Sequence, residues 1–132
     1  VYKRQDNGAV NSLASNTGTA DNCAVWVFDT SDNAYWQCFG NKAGTEATKI
    51  EDGLAPVADT FETMVVALRD TNARFMRLDA NGRLTYQSAW MTDAITAADK
   101  LVPWIGLQLR TGSIDRNLNI DFIDVRQRRS TS

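Results

Sequence analysis

From Cys23 onward the chain alternates short apolar runs with polar turn signals. Ala24-Val25-Trp26-Val27-Phe28 is β-branched and aromatic, which predicts a strand. Residues 29–33 read as a polar turn, and 34–39 as a second strand ended by Gly40, so the pair reads as a hairpin. Residues 41–56 form a loop region punctuated by Gly44, Gly53 and Pro56, with room for a short strand over 47–50. The run 60–69 alternates, with Phe61, Thr63, Val65 and Ala67 on one face and Glu62, Met64, Val66 and Leu68 on the other. Both faces carry apolar residues, which predicts a strand central in its sheet. A second strand over 74–78, a tight turn at Asn81-Gly82 and a third strand over 83–89 complete a meander. Residues 92–100 fit one or two helical turns, with Thr92 or Thr96 as the cap. Residues 103–110 and 118–126 read as strands, and the loop between them is polar. Seven to nine short strands with almost no helix predict an all-β fold, an antiparallel β-sandwich.

The first 22 residues break this pattern. They are rich in Asn, Gly, Ser and Thr and hold few large apolar side chains. They read as an arm or long loop with at most one edge strand around 9–14, or as an arm that orders against a neighbouring subunit. The sandwich is expected over 23–126, and 127–132 as a basic polar tail. With 132 residues, 43% hydrophobic and 23% charged, the chain has one domain's worth of core. No apolar run approaches the ~20 residues that span a bilayer, and no signal peptide opens the chain. The first residue is Val1, which implies processing or excision from a longer product.

Charge and residue types narrow the chemistry. The net charge of −2 lacks the basic excess that phosphate neutralisation needs, so no nucleic-acid partner is expected. There is no His, which excludes Ser-His-Asp and Cys-His catalysis and His-ligated zinc. No pair of carboxylates has the strand spacing that glycoside hydrolysis needs, since Asp121 and Asp124 fall on opposite faces. Phosphate-binding glycine loops are absent. An enzyme is therefore not expected, and neither is a cofactor. Asp29–Asn33 and Asp79–Gly82 carry calcium-like chemistry, but Asp and Asn are also what tight turns need. Cys23 and Cys38 either bridge, if their strands pair in register, or sit as two small buried thiols.

Four tryptophans are many for this length. Trp26 and Trp36 fall mid-strand and read as core. Trp90 follows a strand end beside Met91, which makes the pair the first candidate contact to a ligand or to another subunit. Asp115 and Arg116 in the polar loop, and Arg126, Arg128 and Arg129 at the tail, are the other candidates. The strand arginines, Arg74 and Arg77 among them, are expected to pair with the 13 Asp residues across a sheet surface, or else across subunits.

Residues 54–126 resemble a known family. The carrying runs are Ala55-Pro56-Val57-Ala58-Asp59-Thr60-Phe61-Glu62-Thr63-Met64-Val65-Val66-Ala67-Leu68, then Asn72-Ala73-Arg74-Phe75-Met76 and Asp79-Ala80-Asn81-Gly82-Arg83-Leu84. Val102-Pro103-Trp104-Ile105-Gly106-Leu107 and Leu118-Asn119-Ile120-Asp121-Phe122-Ile123-Asp124-Val125-Arg126 follow. This order is similar to the concanavalin A-like, laminin G-like jelly rolls of bacteriophage virion proteins. Asn81-Gly82 stands where such hairpins usually carry Asp-Gly. The resemblance implies a jelly roll located in a virion. It implies a non-enzymatic structural role, capsid decoration or cement, with the major capsid protein or other virion proteins as partners and a homo-oligomer, a trimer in preference. The alternative it implies is a carbohydrate-binding module of a tail fibre or spike; no sugar-binding residue of the family is matched, and Trp90 with the loop residues Asp115 and Arg116 is the shallow glycan site that the loop reading offers.

Overall fold

The computed structural model describes residues 22–29, 33–96, 101, 103, 105 and 119–126. The chain falls into two compact units, Val1–Lys100 and Leu101–Ser132.

Among its described residues the first unit holds seven strands and no helix. One sheet is built from β1 (Asn22–Val27), β2 (Gln37–Lys42), β3 (Thr45–Glu46) and β4 (Ile50–Glu51). The β2 strand pairs antiparallel with β1 along its whole length, with Trp26 opposite Cys38. Two short strands share its other edge: β3 sits opposite Asn41 and Lys42, and β4 opposite Gln37 and Cys38. The second sheet is a meander of β5 (Thr63–Arg69), β6 (Asn72–Leu78) and β7 (Leu84–Gln87). Two antiparallel sheets with a shared apolar core are consistent with a β-sandwich.

That core is small. Cys38, Ala73, Phe75 and Ala94 are fully buried, and Ala24, Trp26, Ile50, Tyr86 and Met91 pack against them. Trp26 joins the sheets. Its ring meets Phe75 and Tyr86 edge-on, at centroid distances of 5.8 and 5.7 Å. Its Nε1–H donates to the Val65 carbonyl at 3.1 Å. Edge-to-face pairs of this kind add ~0.5–1.5 kcal/mol each beyond burial.

Three strand expectations change. Gly40 does not end β2 but lies inside it. A Cβ at Gly40 would come within 2.4 Å of the Ala94 carbonyl oxygen and 2.6 Å of the Ala94 Cβ, so this glycine marks a close crossing of two backbones. The segment 60–69 is not a central strand among the described residues: β5 is the edge of its sheet and β6 the centre. The apolar character of both β5 faces has a different origin, since Val66 and Leu68 stay exposed. Residues 92–96 form turns rather than helix, and 97–100 lie outside the described residues. In the second unit, residues 119–126 hold no strand and are all exposed, against the strand expected over 118–126. The arm over 1–21 and the tail over 127–132 lie outside the described residues.

The turns follow local chemistry. Ala43 and Gly44 both take positive φ, at 49° and 79°, which closes β2 onto β3 in two residues. At the β6–β7 turn, Asp79 Oδ1 accepts from the backbone N–H of Asn81 and of Arg83, each at 2.9 Å, and Gly82 takes φ 75°. The Asp79 carboxylate is thus engaged by the turn itself.

Candidate functional site

Every second residue of β6 faces the core, and the others face outward. Ala73, Phe75 and Arg77 are buried on one face, while Asn72, Arg74, Met76 and Leu78 are half-buried on the other. An arginine in phase with Ala73 and Phe75 enters the interior and must find its partners there.

Arg77 finds five acceptor contacts. Nη1 donates to Asp52 Oδ2 at 2.6 Å and to the Leu54 carbonyl at 2.9 Å. Nη2 donates to Glu62 Oε1 at 2.6 Å and to the Ala55 carbonyl at 3.3 Å. Nε donates to the same Glu62 oxygen at 3.2 Å. Burial works against the charge, but the carboxylates of Glu62 and Asp52 more than offset it, so the guanidinium pKa is held above its usual value. All contacts come from the segment 52–62, so one side chain fixes both ends of that loop. Between them the loop carries Leu54, Val57 and Phe61, which are 40, 62 and 59% exposed.

Beside this clamp lie Cys38 and Tyr86, which share a hydrogen bond. Burial pushes the Cys38 thiol up to about 12, with Tyr86 lowering it and Asp52 raising it. Burial likewise pushes Tyr86 to about 12, reinforced by Cys38 and Asp52. Neither group is a nucleophile near neutral pH. The two cysteines do not form a disulfide: Cys23 lies opposite Asn41 and Cys38 opposite Trp26, so the two alternate to different faces of their sheet.

The outer face of β6 holds Trp90. Ser88 N–H donates to the Phe75 carbonyl, and Met91 exchanges both backbone bonds with Ala73. Two residues, Ala89 and Trp90, therefore oppose Arg74 alone, and this bulge re-aims Trp90. The Arg74 guanidinium lies over the indole at 4.7 Å from its centroid. Such a pair is worth ~0.5–2 kcal/mol. Arg74 Nε is buried without a hydrogen-bond partner. Met91 turns the other way: its Sδ accepts the Gly40 N–H at 3.2 Å within the core.

Of the remaining candidates, Arg126 alone falls among the described residues. Arg126 is exposed in the second unit, where its Nε donates to Asp124 Oδ2 at 2.7 Å. Asp115, Arg116, Arg128 and Arg129 lie outside the described residues. Sequence reasoning missed the Arg77–Asp52–Glu62 cluster, although the in-phase run Ala73, Phe75, Arg77 carried its signal. Among the described residues no group of three or more His, Cys, Asp or Glu side chains is gathered to hold a metal, and no helix is long and apolar enough to cross a membrane. Compared with known family models, curated proteins and solved structures, the chain matches none.

Proposed function

We propose that this chain is a non-enzymatic structural protein of a bacteriophage particle, a jelly roll that decorates the capsid and stabilises the shell through subunit contacts. The observation that carries this reading is the clamped loop over 52–62. A buried arginine holds both its ends, while Leu54, Val57 and Phe61 project into solvent. A mobile loop would lose entropy on docking, whereas a loop held by five donor contacts is ordered in advance. Burying one such side chain against a neighbour gains ~1.5–3 kcal/mol, and any partner that binds only the folded state stabilises it. The resemblance to phage virion jelly rolls supports the location.

Copy number in purified particles tests this, by quantitative peptide mass spectrometry against the major shell protein. Hundreds of copies are expected. A few to a few tens would move the chain to the tail or a spike, and absence from every particle would overturn the reading.

One observation favours a second reading, a carbohydrate-binding module. Trp90 is half-buried and carries the Arg74 cation over its indole, and an aromatic beside a cation suits a sugar ring bearing an anionic group. Glycan binding by the isolated protein, lost on Trp90→Ala, would favour it.

A further inference from the structure

Among the described residues the outer edge of β5 has no partner strand, and its outward-pointing groups can be identified. Ala73 exchanges both backbone bonds with Met91, at 3.0 and 2.7 Å, and the Phe75 carbonyl accepts from Ser88. Residues 73, 75 and 77 of β6 therefore aim their backbone toward the β7 side, and 72, 74, 76 and 78 aim theirs at β5. Their opposite numbers on β5 are Arg69, Ala67, Val65 and Thr63. Met64, Val66 and Leu68 are left with N–H and C=O groups pointing outward along the edge. Among the described residues no second strand pairs with β5. The Val66 and Leu68 side chains, on the core-facing side of that edge, are also exposed. An edge of this length with apolar side chains is a template for strand addition.

A matching strand exists in the same sequence. Residues 119–126 read Asn-Ile-Asp-Phe-Ile-Asp-Val-Arg and form no sheet, and Ile120, Phe122, Ile123 and Val125 are all exposed. In antiparallel register with Phe122 opposite Val66, Ile120 falls opposite Leu68 and Arg126 opposite Glu62. Arg69 then lies diagonal to Asp121. Two apolar pairs and one diagonal opposite-charge pair within β5 coincide in one register, which is the pattern that stabilises cross-strand neighbours. Val66, Leu68, Ile120 and Phe122 are each exposed, at 36, 45, 51 and 62%.

We propose that residues 119–126 of one copy add as an antiparallel strand to the β5 edge of a second copy. The proposal rests on the reading of the chain as a self-associating structural protein and names the segment that does the associating. Donation from each copy to the next closes into a cyclic homo-oligomer, since an open series would run on as a filament.

The test uses two full-length chains, one carrying Ala67→Cys and the other Asp121→Cys, produced together and oxidised. Positions 67 and 121 are opposite each other in a non-hydrogen-bonded pair, ~4.5 Å between Cα atoms, within disulfide reach. The expected result is a covalent dimer of doubled mass on a non-reducing gel, with peptide mapping placing the bond between positions 67 and 121 rather than at Cys23 or Cys38. The oligomer is also expected to fall to monomer mass by light scattering on Phe122→Asp, with folding retained. No bond between the mixed chains overturns the proposal. So does a chain carrying both substitutions that yields only an internal bond at monomer mass, or an oligomer that survives Phe122→Asp. Absence from particles, by contrast, overturns the particle reading and leaves this result standing.

Discussion

Arg77 Nη1 donates to Asp52 Oδ2 at 2.6 Å, with the arginine side chain 2% exposed and the aspartate side chain 0%. The pair joins the centre of one sheet to the loop that leaves the other. Its weight lies in what its loss would leave behind. Arg77→Met strands a buried carboxylate without its cation, a change that costs ~3–5 kcal/mol. The expected outcome is a large drop in the denaturant midpoint, with the 52–62 loop becoming sensitive to protease. A fall below about 1 kcal/mol would show that the clamp is not a structural keystone.

Gly40→Ala tests the close crossing under β2. The added methyl meets the Ala94 backbone, which cannot swing aside as a flexible side chain would. A destabilisation of ~1–3 kcal/mol is expected from overpacking alone. Shrinking the partner with Ala94→Gly in the Gly40→Ala background should restore part of it, and thermal unfolding of the three variants reads the coupling.

Cys38 and Tyr86 make stability fall in alkali. Unfolded, they ionise near 9.0 and 10.0; folded, each holds its proton to about 12. The folded state binds the extra protons, so their contribution is fully present below about pH 9 and is lost as pH rises toward 12. Denaturant melts between pH 8 and 11 should show this decline, and Tyr86→Phe should flatten it. With the thiol raised from 9.0 to about 12, Cys38 carries about a thousandfold less thiolate at pH 8 than an ordinary cysteine. Maleimide should label it only after unfolding.

Trp90→Ala should separate contact from fold. The indole stacks on Arg74 outside the apolar core, so only ~0.5–2 kcal/mol of stability is at stake. Under the proposed capsid reading, with Trp90 as a contact anchor, association with the shell is expected to weaken at least ~10-fold. Unchanged association would remove Trp90 from the contact surface.

Strand content was legible because local pattern decides it. Val25-Trp26-Val27, the alternation through 63–69 and the Asn81-Gly82 turn are nearest-neighbour signals, and each lies in the element it predicted. Partnership was not legible. The run 63–69 is apolar on both faces whether it sits in mid-sheet or at an edge, and only the neighbours decide. Gly40 reads as a stop unless one knows that Ala94 crosses beneath it, 54 positions later in the chain. Arg77 was read as a surface residue because its partners, Asp52 and Glu62, lie 25 and 15 positions away. Trp90 lies just past the end of β7, a placement the local pattern carries, while the bulge that turns it toward Arg74 is a matter of backbone pairing.

The segment 91–96 ties together what the two sheets begin. Met91 bonds to Ala73, Asp93 reaches Lys42 at 2.9 Å, Ala94 fits under Gly40, and Ile95 donates to the Thr71 carbonyl. The Thr96 N–H donates to Asn22 Oδ1, at the very start of β1, across 74 positions of sequence. On a ribosome this sets an order of events. The two hairpins can form as they emerge, each from local contacts, but the core stays open on one side until residue 96 has cleared the exit. Closing so long a loop is entropically late. Until then Phe75 and Trp26 lack part of their cover, and in that interval chaperone binding or premature aggregation would compete with folding.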